Sequence, residues 1–177
     1  MTNQRTILWL NGPFGAGKST TGVHVIGQDP RWHFFDPEWV GYMLRANLHG
    51  VEFSDFQDLN SWRLLVPKVA HEIAATTGRD LLAVQSVLNE NYWRQIRQGM
   101  FALGLQIHHV VLDIEPDALK SRIEADQNDP AAATWRHRHV DSFIASREWM
   151  LGAADTVVDV SSQSARSAAS EILSSLG

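Results

Sequence analysis

The chain has 177 residues, 44% hydrophobic and 20% charged, enough for one α/β domain with a buried core and too apolar for a disordered chain. A formal net charge of −5 argues against a general nucleic-acid binder, because the phosphate backbone attracts excess positive charge. With no cysteine, disulfides, zinc-thiolate sites and thiol nucleophiles are excluded, which accords with a reducing, cytoplasmic setting.

The first predicted strand is Thr6-Ile7-Leu8-Trp9-Leu10, followed by a glycine-rich loop and a helix from about Lys18. The apolar run is too short for the core of a signal peptide, and no stretch reaches the roughly 18 apolar residues that cross a bilayer. Trp32-His33-Phe34-Phe35 reads as the second strand and ends at Asp36-Pro37. Trp62, Leu65, Val66, Val69 and Ile73 fall on one face of a long helix that Gly78 stops. Leu81-Leu82-Ala83-Val84 is the third strand, followed by a helix from about Asn91 to Gly104. The fourth strand covers residues 107–112, and Pro116 opens a helix through Leu119 and Ile123. After a polar break at 126–130, a helix is expected over about 131–149, then a fifth strand at 156–160 and a closing helix striped by Ala165, Ala168, Ile172 and Leu176. Strands alternating with helices predict a single domain over 1–177: a three-layer α/β/α sandwich around a five-stranded parallel sheet. The pattern leaves strand order open.

Residues 12–19, Gly12-Pro13-Phe14-Gly15-Ala16-Gly17-Lys18-Ser19, fit G-x-x-x-x-G-K-[ST], the Walker A or P-loop pattern, with a strand before and a helix after. Glycines allow successive backbone N–H groups to converge on phosphate oxygens, and the positive end of the following helix points the same way. Residues 12–20, ending at Thr20, are therefore the candidate nucleotide site; Lys18 is placed at the β- and γ-phosphates and Ser19 at Mg²⁺. No Asn-Lys-x-Asp guanine signature occurs, so ATP is the expected nucleotide. The third strand runs into Gln85-Ser86 with no Walker B acid, which shifts weight from motor ATPases to small phosphotransferases.

Asp36 stands at the C-terminal edge of the second strand, where parallel sheets gather ligands. It is a candidate to orient or deprotonate an acceptor hydroxyl and to help hold Mg²⁺; the competing reading is a helix cap followed by proline. Arg45 is a candidate acceptor contact or a solvated arginine. Arg122, Arg136 and Arg138 are candidates to close over the transferring phosphate from a lid at about 124–140. Most of the seven tryptophans read as core, with Trp62 and Trp39 candidates to line an acceptor pocket. His137 and His139, two apart on a helix, make a poor chelate and read as solvated surface, and His108 and His109 read as packing residues.

The blocks Asn11-Gly12-x-Phe14-Gly15-x-Gly17-Lys18 and Asp36-Pro37-Glu38-x-x-Gly41-x-x-Leu44-Arg45 are supported by Asp55-Phe56-Gln57 with Trp62-Arg63, by His108-His109 and by Leu119-x-x-Arg122. On these the chain resembles the ATP-binding tunicamycin-resistance proteins, within the nucleotide- and shikimate-kinase-like P-loop group. The resemblance implies a P-loop strand in the middle of the sheet, a mobile lid, ATP use, and Asp36 and Arg45 facing the acceptor. Related sequences carry an apolar-Pro segment where this chain has Gln85-Ser86, so the acceptor pocket is expected to differ. The leading expectation is an enzyme, a small-molecule phosphotransferase (kinase) using ATP and Mg²⁺ on a nucleoside-like, sugar-like or antibiotic acceptor such as tunicamycin. The alternative is an ATP-dependent binding or sequestration protein that confers antibiotic resistance without transfer. Partners expected are ATP and the acceptor, with no nucleic acid and no transmembrane segment, in a monomer or homodimer.

Overall fold

The computed structural model describes residues 4–125 and 133–177, with side chains described outside 126–138. Five strands, β1 (Thr6–Asn11), β2 (Trp32–Phe35), β3 (Asp80–Val84), β4 (Gln106–Asp113) and β5 (Thr156–Asp159), form one parallel sheet in the order β2-β3-β1-β4-β5. Among the described residues seven α-helices cover it: α1 (Lys18–Gln28), α2 (Glu38–Asn47), α3 (Asn60–Thr77), α4 (Glu90–Ala102), α5 (Pro116–Ala125), α6 (Ala133–Ala153) and α7 (Ala165–Ser175). None of the described helices is long and apolar enough to cross a membrane.

Strand alternation sorts the core into two layers. Leu8 and Leu10 of β1 face the α1 and α7 side with Val25, Phe143 and Ile172, while Ile7 and Trp9 face Trp62, Val66, Trp93 and Met100 on the α3 and α4 side. Because helices cover both faces, the central strands are mostly apolar, with Asn11 and His109 as buried polar exceptions. Trp9, Trp32, Trp62 and Trp93 are all buried.

Local chemistry sets the helix ends. Gly78 closes α3 in the left-handed conformation at φ 66°. The Asn89 side chain accepts from the amides of Asn91 and Tyr92 and starts α4 at Glu90. Pro67 lies inside α3, and its ring packs where Gly99 of α4 has no side chain: a Cβ there would stand 2.8 Å from Pro67 Cγ. A 3₁₀ turn, Phe56–Asp58, capped by Asp55, was not legible in the sequence pattern. Phe56 packs so closely on α2 that a Cβ at Gly41 would stand 2.6 Å from its ring. The expected lid at 124–140 falls largely on residues outside those described.

Candidate functional site

The central strand β1 runs straight into the glycine loop. Gly12, Gly15 and Gly17 take φ values of 137°, 90° and 83°, which side-chain-bearing residues avoid. At Gly12 the need is also steric, since a Cβ would lie 2.6 Å from the Leu112 carbonyl oxygen of β4. Gly17 is the N-cap of α1, with no side-chain capping bond, so the first amides of that helix are left for an anion. Lys18 Nζ folds into the loop and donates to the carbonyl oxygens of Gly12 (3.1 Å) and Pro13 (2.7 Å), 5.4 Å from the Phe14 ring centre. Burial pushes its ammonium down to about 7, with the Glu38 charge pulling in the opposite direction. Gly15, Gly17, Lys18, Ser19 and Thr20 border a cavity of about 410 Å³; Ala16 packs into the core instead. A concave anion site with an ammonium inside it fits a polyphosphate.

Hydrogen bonds from buried side chains hold the loop from beneath. Asn11 Oδ1 accepts from the amides of Gly12 (2.8 Å) and Val87 (2.9 Å), and its Nδ2 donates to the Val87 carbonyl (3.1 Å). Ser86 Oγ donates to the Gly12 carbonyl at 2.8 Å. His109 Nε2 lies 3.2 Å from Asn11 Nδ2, and its Nδ1 lies 3.1 Å from the Ala153 carbonyl. Only the Nδ1–H tautomer satisfies both contacts. Burial lowers this imidazole to about 4, against the pull of the Ala153 hydrogen bond, and so favours its neutral form at ordinary pH.

The carboxylates come from the start of α2. Asp36 Oδ1 accepts from the Glu38 amide at 2.9 Å, so Asp36 does cap the helix, and it also borders the cavity of the glycine loop. Glu38 borders that cavity and a second one of about 560 Å³, whose wall includes Phe14, Tyr42, Arg45, Asp55, Gln57, Gln85 and His139. Its Oε2 accepts from the Tyr42 hydroxyl at 3.2 Å. Burial and then the Asp36 charge raise the Glu38 carboxyl above its usual range, partly offset by Tyr42 and Lys18. Asp55 is raised as well, first by burial, with the Gln57 amide opposing. Gln85 lies in the walls of both cavities, and its Oε1 is a buried acceptor without a hydrogen-bond partner among the described residues. Glu38, Tyr42 and Asp55 were not singled out from sequence as site residues, and Gln85 entered only through the segment expected to alter the acceptor pocket. Glu38 lay in plain view in Asp36-Pro37-Glu38, and a second acid two residues on was the missed signal.

The other candidates separate. Arg45 lies at the second cavity, with its guanidinium 5.3 Å from the Phe53 ring centre. Trp62 is corrected: it is fully buried, its indole N–H donates to the Pro37 carbonyl at 3.1 Å, and its role is to fix the start of α2. Arg122 donates to the Val160 carbonyl at the end of β5 and lines neither cavity. Arg136 and Arg138 lie outside the residues whose side chains are described. His139 is half-buried rather than fully exposed, with its ring 5.1 Å from that of Phe14 at the cavity wall. Among the described residues, no group of three or more His, Asp or Glu gathers as a metal site.

No protein-family model matches the chain, and no curated protein sequence matches it. Among solved structures it is similar to a tunicamycin resistance protein from Deinococcus radiodurans, with a TM-score of 0.77 and 22% identity over 97% of this chain and 96% of that one. A sugar kinase from Janibacter matches with a TM-score of 0.70 and 18% identity, covering 98% and 95%. An APS kinase from Mycobacterium tuberculosis, solved with AMPPNP and APS, matches with a TM-score of 0.61 and 15% identity, covering 98% of each chain. At such identities the likeness is one of architecture, and that architecture is the P-loop kinase fold.

Proposed function

We propose that this protein transfers the γ-phosphate of ATP to a hydroxyl of a small-molecule acceptor. One observation carries the reading: the cavity at the glycine loop and a larger cavity share the wall formed by Phe14, Glu38 and Gln85. A donor phosphate in the first and an acceptor in the second meet at Glu38. The loop amides and Lys18 hold the phosphates. Ser19 and Asp36 border the same cavity and would hold magnesium. Magnesium, when bound, neutralises charge on the phosphate oxygens. Glu38 accepts the proton of the attacking hydroxyl as the new oxygen–phosphorus bond forms and the β–γ bridging bond breaks. Asp36 keeps Glu38 in place through the cap of α2. The unpaired Gln85 carbonyl and the Asp55 carboxylate are acceptors suited to further hydroxyl or N–H donors on the substrate. Arg45 contacts the acceptor.

The acceptor is of sugar, nucleoside or antibiotic type. Mass spectrometry tests the reading: protein, Mg-ATP and a panel of sugars, nucleosides, shikimate and tunicamycin are incubated together. An acceptor heavier by one phosphoryl group, lost in Lys18→Met, is the expected result. ATP-dependent sequestration is the second reading, favoured by the end of β3, where Gln85 and Ser86 stand without an acid. Saturable acceptor binding without a modified product selects that reading instead.

A further inference from the structure

His109 takes no part in the transfer chemistry, yet it is a fully buried ionisable side chain beneath the glycine loop. Hydrogen bonds in series join the end of α6 to that loop through it. The Ala153 carbonyl can only accept, so Nδ1 of His109, 3.1 Å away, donates to it and carries the ring proton. Nε2 is then an acceptor, and it faces Asn11 Nδ2 at 3.2 Å. At the other end of the Asn11 amide, Oδ1 accepts from Gly12 at 2.8 Å. The amide cannot turn round, because Val87 offers its N–H to Oδ1 and its carbonyl to Nδ2. With His109 in place, both N–H groups of Asn11 and both lone pairs of its oxygen are used. Asn11 is itself fully buried, so bulk water does not stand in for the imidazole. The ring is held in turn by Trp93, whose ring centre lies 4.1 Å away, while the Asp155 carboxylate accepts from the main-chain amide of His109 at 2.8 Å.

We propose that His109 is a positioning residue for the nucleotide: its bare Nε2 holds the Asn11 amide, and through it the Gly12 turn, in the shape that receives phosphate. The assignment rests on the nucleotide-binding reading of the glycine loop. The same amide holds Val87, so the segment that follows β3 is fixed with the turn. A residue that merely filled space beside Trp93 would be replaced equally well by any polar side chain of similar size. Positioning demands a hydrogen-bond acceptor at one ring atom. Glutamine reaches the place of Nε2 with an amide oxygen, whereas asparagine reaches only the place of Nδ1 and keeps the bond to Ala153.

Two measurements test the proposal. Calorimetry with Mg²⁺ and a non-hydrolysable ATP analogue reads affinity, and hydrogen exchange at the Gly12 amide reads the turn without nucleotide. His109→Gln should stay within about twofold of the native protein in both. His109→Asn strands one Asn11 N–H in a buried site and should weaken affinity about tenfold, with Gly12 exchange faster by a similar factor. On an Asn11→Ala background the intermediary is gone, so adding His109→Asn should cost no further affinity. His108→Asn, whose native ring pairs with Thr156 Oγ1 instead, should change neither reading. In the native protein, nitrogen-15 NMR near neutral pH should show His109 protonated on Nδ1 and bare on Nε2. Equal behaviour of His109→Gln and His109→Asn, or a further loss on the Asn11→Ala background, overturns the proposal. So does a protonated Nε2 in the native protein, a result that needs no variant to fold. If the native protein binds no nucleotide, the reading of the loop falls, and Gly12 exchange with the ring tautomer still decides whether His109 holds the turn.

Discussion

Nucleotide binding should be linked to pH through Lys18. Its ammonium is held at about 7 in the free protein because the closed loop removes it from water. At pH 8.5 a group with that value carries its proton in only ~3% of molecules, whereas a bound polyphosphate requires the charged form. Binding at that pH should therefore take up ~1 proton, and apparent affinity should fall about 20-fold between pH 7.5 and 9, or ~1.8 kcal/mol. Calorimetry of a non-hydrolysable ATP analogue, run in two buffers of different ionisation enthalpy, reads the proton directly. Lys18→Met should bind weakly and without proton uptake. The sign for stability is opposite to that of a paired lysine. The folded value lies below the unfolded one, so the unfolded chain holds more protons between pH 7 and 10.5 and the free protein gains stability as pH rises through that window. Proton uptake near zero at pH 8.5, with affinity flat across the range, would refute the claim that the loop desolvates Lys18.

Glu38→Gln should lower kcat by about 10²–10⁴ while leaving Tm nearly unchanged, as steady-state assay and a thermal melt would show. Asp36→Asn retains the capping oxygen and should keep Tm, but should raise the magnesium concentration needed for half-maximal rate. Gly12→Ala forces a Cβ against the Leu112 carbonyl at positive φ and should cost about 2–5 kcal/mol in urea unfolding. Asn11→Ala strands two amides, the Val87 carbonyl and the His109 ring nitrogen; it should cost about 2–4 kcal/mol and raise KM for nucleotide.

The sequence carried the sheet because each strand is a short apolar run closed by a loop residue, and Gly78 marked the end of α3 through a backbone angle that few other residues adopt. The glycine loop was legible for the same reason, since its chemistry resides in consecutive residues. Elements assembled from separated residues were not. Glu38 and Gln85 are 47 positions apart yet share both cavity walls, and no local pattern joins them. Trp62 misled because an aromatic ring suits a pocket or a core equally well, and only the position of its indole N–H at Pro37 decides between them. His139 was read as surface from its spacing to His137, which says nothing about the Phe14 ring contributed by the far end of the chain.

The amide clamp of Asn11 on Val87 and the hydroxyl of Ser86 on Gly12 weld the ends of two neighbouring strands into one plinth. One end carries the turn that grips phosphate, and the other leads into the wall behind the incoming substrate. Neither can drift without the other, so the line along which the reacting oxygens approach is laid down when the chain folds. Adjustment to substrates of different size is left to the helical cover on either side.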